Sequence, residues 1–359
     1  MKSKLSYVAI FATIIICFNL FINESNSRSV RFDYTIDLDK SNNKVEVWLP
    51  IPQTNEVQTV SNVSLSNKNL MQCKELIEQK HKNKYYYCSV NQLEKETTLT
   101  LSVEVTRQEH STVNYENVNP DDYDKGTYNS TVFEGKVFDT IINEAKLSKD
   151  NVDDIYEYVL SGMHYGKPTD DINDKNYKYY DGKNPKTKQD WLPESFTYGR
   201  KQVSKKDLVT VYNEAKANKT NFTYGNGNSK YACDIGVGNC TDYHSYFMSL
   251  CRTLDIPARF HMGFSIPNKE NESEGKVGGY HCWADYYTEG EGWTPVDISE
   301  ADKDPSMSEY FNGTVNEHRI EFVVGRDIEL INRDKPENFF VYPIVKGTGY
   351  SKSFYYKNL

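Results

Sequence analysis

The chain has 359 residues and a formal net charge of −9, from 42 Lys and Arg against 51 Asp and Glu. These charges are spread without a basic block, which excludes a phosphate-neutralising nucleic-acid surface. Hydrophobic residues make up 38% and aromatics 13%, enough bulky material to exclude whole-chain disorder, and no apolar run after Ile22 reaches the roughly 18 residues that span a bilayer.

Lys2 and Lys4 precede an apolar stretch from Leu5 to Ile22, and small polar residues follow at Ser25-Asn26-Ser27. That order of charged, apolar and polar segments marks residues 1–27 as a secretory signal peptide. The protein is therefore expected to be exported, to the periplasm or the cell exterior, with an uncleaved N-terminal anchor as the alternative. Cys17 falls inside this segment, and six cysteines remain beyond it, where export permits disulfides.

Between Val30 and Val113 the dominant period is two. Phe32, Tyr34, Ile36 and Leu38 alternate with polar residues, as do Val45, Val47, Leu49 and Ile51, and later Leu99, Leu101, Val103 and Val105. Alternation of this kind predicts strands with one buried face. Tyr85 to Val90 reads as a further strand, and Val57 and Val60 mark a weaker one. Residues 28–113 are therefore expected to form a small β-sandwich without catalytic residues, in which Cys73 and Cys88 could staple a hairpin. Residues 114–131 are polar and aperiodic and read as a linker. Helical spacing follows at Val137, Ile141 and Ala145 and again at Val152, Ile155, Tyr156 and Val159. A polar insertion is expected at about 167–222, with a short helix between Lys205 and Ala217.

The most informative stretch is Gly238-Asn239-Cys240-Thr241-Asp242-Tyr243-His244. Tyr243, Phe247, Leu250 and Leu254 fall on one face of a helix that Pro257 stops, so Cys240 sits in or near its first turn. Unpaired N–H groups and the partial positive charge there lower a thiol pKa and can hold a developing oxyanion. A buried structural cysteine is the competing reading.

Farther on, Gly279 to Tyr287 reads as a strand, Thr288-Glu289-Gly290 as a turn, and Trp293 to Asp297 as the returning strand. A register that sets Tyr287 opposite Glu291 leaves a three-residue loop ending on Gly290. The same register sets His281 opposite Asp297 and Trp283 opposite Pro295. A carboxylate beside an imidazole fixes its tautomer and stabilises its charged form. Trp283 and Pro295 would wall the site.

The segments GNCTDYHSYFMSLCRTLDIPARFHMGF, GGYHCWADYY and GWTPVDISEA, in that order, resemble the core of the transglutaminase-like superfamily, relatives of papain-type cysteine proteases. The likeness extends over most of 133–345, through YGNGNSKYACD upstream and EHRIEFVVGRDIEL downstream, and is closer to exported bacterial members than to the calcium-dependent animal enzymes. It implies Cys240 as nucleophile, His281 as general base and acid, and Asp297 as the orienting carboxylate. The family's second oxyanion donor is often an upstream Trp or Gln. This chain has Thr223-Tyr224-Gly225 where relatives have Gly-Trp-Gly, which makes Tyr224 a cleft candidate beside Asn239 and Trp283.

Several residues compete for roles. His244, one turn after Cys240, is the rival base, but no carboxylate is evident to orient it. Asp242 is read as compensating the helix dipole, Arg252 and Arg259 as making structural ion pairs, and Cys251 as a small core residue. A Cys233–Cys282 disulfide flanking the site is considered. Zinc on Cys233, Cys240 and His281 matches no compact zinc motif, so neither metal nor cofactor is expected.

The expected fold is α+β. A cysteine-bearing helix packs on an antiparallel sheet bearing His and Asp over 132–359, preceded by the all-β domain. The expected function is thiol-dependent acyl transfer on peptide or carboxamide bonds, with hydrolysis preferred to amine cross-linking. A non-catalytic peptide- or glycan-binding module is the alternative. The expected partner is a peptide or protein substrate, such as a cell-envelope component, and neither nucleic acid nor membrane beyond the anchor.

Overall fold

The computed structural model describes residues 26–125, 132, 134–166, 195–198, 201–204, 217, 223–269 and 272–359. Nearly all of the signal segment, residues 126–131 of the linker, and most of the insertion with its short helix lie outside them. The N-terminal strands are β1 (Ser27–Leu38), β2 (Val45–Ile51), β3 (Gln58–Leu65), β4 (Lys74–Ile77), β5 (Lys84–Val90) and β6 (Thr97–Gln108). Their alternating apolar residues are buried, Phe32, Tyr34 and Ile36 from β1 and Leu99, Leu101 and Val103 from β6. Cys73 and Cys88 form a disulfide that ties the approach to β4 onto β5.

Two helices follow, α1 (Lys136–Ala145) and α2 (Val152–Gly162), then β7 (His164–Tyr165), β8 (Ser195–Tyr198) and β9 (Lys201–Ser204). The remaining elements are α3 (Ser229–Ile235), β10 (Val237–Gly238), α4 (Cys240–Thr253), β11 (Ala258–Ser265), β12 (Glu274–Val277), β13 (Tyr280–Thr288), β14 (Gly292–Val296), α5 (Ile298–Lys303), α6 (Ser308–Phe311), β15 (Arg319–Val324), β16 (Ile344–Lys346) and β17 (Tyr350–Asn358). Among the described residues this is a mixed α+β architecture of mostly antiparallel sheets.

The sheets do not respect the division read from the sequence. A five-stranded sheet runs β12-β17-β1-β6-β3 and a four-stranded one β16-β2-β5-β4, so strands from 274–277 and 344–358 complete the N-terminal layers. The physical reason is long-range pairing. Phe354 and Tyr356 alternate with exposed neighbours and match the buried face of β1, with Phe32 opposite Tyr356 and Tyr34 opposite Phe354. These layers also share one core with the next sheet, β14-β13-β11-β15. Phe32 lies 5.0 Å from Phe264 and 5.6 Å from Phe322, ring centre to ring centre.

Helix α4 is more enclosed than its sequence pattern implies, since every residue from Cys240 to Arg252 is buried. It packs against β13 and β11 on one side and α1, α2 and α3 on others. The polar residues that interrupt its apolar face are therefore interior groups rather than a solvated stripe.

The β13–β14 hairpin differs from the expected register by one residue on each strand. Thr288 pairs with Gly292 and Asp285 with Pro295, so the loop is Glu289-Gly290-Glu291, with Gly290 in the left-handed region at φ 82°. This slip keeps each residue on its expected face, because one step on both strands preserves the alternation. Asp297 lies beyond β14 as the N-cap of α5, its carboxylate accepting from Glu300 N–H.

Gly263 on β11 pairs with His281 and sits at an irregularity in the β11–β15 ladder. A Cβ there would lie 1.8 Å from the Ile320 carbonyl oxygen. Only glycine lets β15 come this close. Gly263→Ala is expected to destabilise the fold by about 3 kcal/mol, read as a lower urea midpoint at unchanged slope; an unchanged midpoint would contradict the close approach.

Candidate active site

Two breaks in the chain create the start of α4. Gly236 ends α3 in the left-handed region at φ 71°, and Asn239 caps α4, its side chain accepting from Thr241 N–H at 3.0 Å. Cys240 is the first helical residue and 4% exposed. Among the described residues its own N–H meets no acceptor, whereas Asp242 N–H and Tyr243 N–H both donate to Asn239 O. A first-turn N–H of this kind is a group that can donate to a developing oxyanion.

Asp242 does more than offset the dipole. Its buried carboxylate accepts from the N–H groups of Gly225 at 2.8 Å, Gly227 at 2.9 Å and Asn239 at 3.1 Å. It thus fastens the turn carrying Tyr224 to the helix start. Burial pushes its pKa up to about 7 despite those three donors. Arg326 secures the same turn, donating to Asn226 O and to Ser245 on α4.

The structure brings Cys240, His281 and Asp297 together. His281 Nε2 lies 2.6 Å from Asp297 Oδ2, and His281 and Cys282 are both near enough to the Cys240 thiol to lower its pKa. With Nε2 committed to Asp297, Nδ1 is the ring nitrogen left to exchange a proton with the thiol. Asp297 is fully buried and accepts from Arg319 at 2.9 Å and from Ser299 Oγ at 3.1 Å.

Burial opposes charge on all three groups, and their neighbours override it. The hydrogen bond from Cys282 is the largest influence holding the Cys240 thiol well below its ordinary value; burial opposes it, and the bond and charge of His281 reinforce it. Burial disfavours a charged His281, but the Asp297 carboxylate outweighs that and lifts it to about 9. Burial also works against the Asp297 anion, yet His281 and Arg319 hold it far below the usual carboxylate range. This combination of neighbours favours a thiolate beside an imidazolium.

The remaining candidates divide. His244 is locked by backbone: its Nδ1 meets Cys240 O at 2.6 Å, and its Nε2 accepts from Ile298 N–H at 3.1 Å. A ring held this way is neutral and has no lone pair for the thiol. Trp283 is 1% exposed, stacked between His281 and His261 at 6.3 and 5.6 Å, so it is a plate under the imidazole rather than a cleft wall. Asn239 serves as the cap, and Tyr224 is half-buried in the fastened turn.

Cys233 and Cys282 are buried and are not joined in a disulfide. Cys233 sits on α3, whereas Cys282 faces the first turn of α4, with Thr241 Oγ1 3.8 Å from its sulfur. Arg259 makes its ion pair, bidentate to Asp285. Arg252 instead donates to the carbonyls of Lys125 and Ala258, because no carboxylate lies within reach of its guanidinium among the described residues.

Sequence reasoning missed Arg319, Glu300 and Lys303. Glu300 Oε1 is 3.8 Å from His281 Nδ1 and 2.6 Å from Lys303 Nζ. Glu300 and Lys303 follow Asp297 on one short helix, a signal that i, i+3 spacing could have supplied. Arg319 comes from a separate strand and has no local signal. His281, Asp297 and Glu300 present ligand atoms within 4.8 Å of one another, but Arg319 already shares Asp297 Oδ2 with His281, which disfavours a metal cation there.

Residues 207–298 match the family model of the transglutaminase-like superfamily. An uncharacterised protein of Haemophilus influenzae is 30% identical over 157 residues, which is 35% of this chain and 42% of that protein. The chain thus spans less than half the length of that curated relative. Among solved structures, a protein of Cytophaga hutchinsonii described as a candidate cysteine protease aligns with TM-score 0.47 and 14% identity, covering 93% of this chain and 92% of that one. The periplasmic domain of TgpA from Pseudomonas aeruginosa aligns with TM-score 0.31 and 9% identity, over 79% of this chain and 92% of that one.

The electrostatics predict the behaviour of the thiol. At pH 6 an ordinary cysteine of pKa about 8.5 is only about 0.3% thiolate, so Cys240 should react with iodoacetamide at least about tenfold faster than such a thiol. In His281→Ala that advantage should vanish. Peptide mapping of the labelled protein across pH 5 to 9 checks it, and equal rates in both proteins would remove the ion pair.

Proposed function

With residues 207–298 as a transglutaminase-like core, we propose that this protein is a thiol-dependent acyl-transfer enzyme acting on peptide or carboxamide bonds, with hydrolysis rather than amine cross-linking as its outcome. The observation that supports this reading most is the 2.6 Å bond from His281 Nε2 to Asp297 Oδ2 on an imidazole that lowers the pKa of a thiol at a helix start.

The proposed reaction follows from those contacts. The Cys240 thiolate attacks the carbonyl carbon, and the oxyanion takes the Cys240 N–H. His281 gives its Nδ1 proton to the departing amine, leaving a thioester and a neutral imidazole. Water then yields a proton to His281 as it attacks the thioester, and the carboxylic acid leaves as thiolate and imidazolium re-form. Asp297 holds the ring through Nε2 and stabilises its charge in both steps. Arg319 acts through Asp297 as a positioning residue.

The proposed setting is outside the cytoplasm, following from the N-terminal segment, and the proposed substrate is a peptide or protein such as a component of the cell envelope. No described helix is long and apolar enough to cross a membrane.

A generic activated ester tests the chemistry without knowledge of the substrate. With p-nitrophenyl acetate the protein should give a burst of nitrophenolate close to one equivalent, and mass spectrometry should find the acetyl group on Cys240. Cys240→Ala should abolish the burst, and Asp297→Asn should slow acylation by about 10³-fold, by analogy with triad carboxylates elsewhere. A rapidly alkylated thiol that gives no burst would favour the binding-module reading.

A further inference from the structure

Glu300, Lys303 and Tyr165 lie beside the catalytic imidazole, and the reaction above uses none of them. One carboxylate oxygen, Glu300 Oε1, joins them: it is 2.6 Å from Lys303 Nζ and 3.8 Å from His281 Nδ1. The same ammonium stands 4.2 Å from the centre of the Tyr165 ring. Tyr165 is held there by backbone, since β7 pairs with β10 and sets Tyr165 beside Gly238, two residues before Cys240, while Tyr165 N–H donates to Asp302. A carboxylate and an aromatic face around one ammonium are the elements that recognise a primary amine.

Resting on the proposed acyl-enzyme, we infer that Glu300 and Tyr165 form a primary-ammonium subsite on the nucleophile side of the cleft, and that Lys303 occupies it in cis. Lys303 is the specificity-determining residue, because it excludes an incoming lysine or diamine and leaves water as the acyl acceptor. An amine admitted in its place would first lose one proton to solvent through the Glu300 carboxylate. Its nitrogen would then attack the thioester carbon, giving its second proton to His281 Nδ1 as the C–N bond forms. The C–S bond breaks, and an amide leaves with thiolate and imidazolium restored.

The tethered ammonium competes at an effective concentration on the millimolar scale, so external amines at lower concentration meet an occupied site. The test acetylates Cys240 with p-nitrophenyl acetate in the presence of cadaverine and measures the ratio of N-acetylcadaverine to acetate. A ratio taken per turnover is independent of acylation rate. Lys303→Met, which keeps the apolar stem, is expected to raise that ratio by about tenfold, and Glu300→Gln added to it should return the ratio to the original value. Methanol serves as an uncharged nucleophile whose share should not move.

An unchanged cadaverine ratio in an acylated Lys303→Met protein would overturn the inference. So would a parallel gain for methanol, which would mean that Lys303 merely narrows the cleft. Absence of acylation in the unaltered protein is a different failure. It would remove the acyl-enzyme reading itself, and the subsite with it.

Discussion

A carboxylate with no solvent exposure is tolerated in a protein interior only if cations and donors meet it from several sides. Asp297 is such a group, and much of the architecture serves to surround it. His281 reaches it from β13, Arg319 from β15 and Ser299 from the helix that Asp297 itself caps. Three separate elements must therefore be in register at once. The bare Gly263 backbone between β13 and β15 lets the two strands close on this point. The thiolate at Cys240 depends on the same arrangement, since the charge on His281 is sustained by Asp297.

Behind the imidazole the polar order continues. His281, Trp283 and His261 stack in a column along β13 and β11, and His261 lies between Glu321 at 2.7 Å and Asp285 at 3.1 Å. Burial opposes a charge on His261, yet the two carboxylates raise its pKa. Arg259 completes the set against Asp285, with Trp293 and Tyr115 on its faces at 4.1 and 4.4 Å. Removing one charge from such a network leaves others unpaired, at several kcal/mol by general experience with buried pairs. The network thus holds the floor of the site stiff on the face away from α4.

What could be read from the sequence was what local periodicity encodes. Alternation located β1, β2 and β6, composition located β5, and the Gly-Asn-Cys break located the start of α4. The hairpin argument brought His281 to Asp297 although its register was one residue off on each strand, because that slip preserves face. What escaped depended on distant chain. Phe354 and Tyr356 carry the alternation of a strand, but nothing local says that their partner is β1. Arg319 is one basic residue among 42 Lys and Arg until β15 is laid beside β11. Strand alternation sets Cys282 on the face of β13 opposite His281. It nonetheless reaches the first turn of α4, its sulfur 3.8 Å from Thr241 Oγ1. The full burial of α4 was hidden for a related reason: its polar residues are met by distant chain, as His244 is by Ile298 N–H and Asp242 by Gly225 and Gly227 N–H.

The placement of β1 between β6 and β17 has a consequence for how the molecule is made. The second neighbour of this strand is the last strand of the chain, with Val30 opposite Asn358. During synthesis one side of β1 has no partner, and its exposed ladder can be closed only after every residue of the candidate site has emerged. The nascent protein is then a sheet with an open hydrogen-bonding edge, and its closure spans almost the greatest sequence separation the chain allows. Such a topology folds slowly and late, so the candidate site is completed only once β17 has been made.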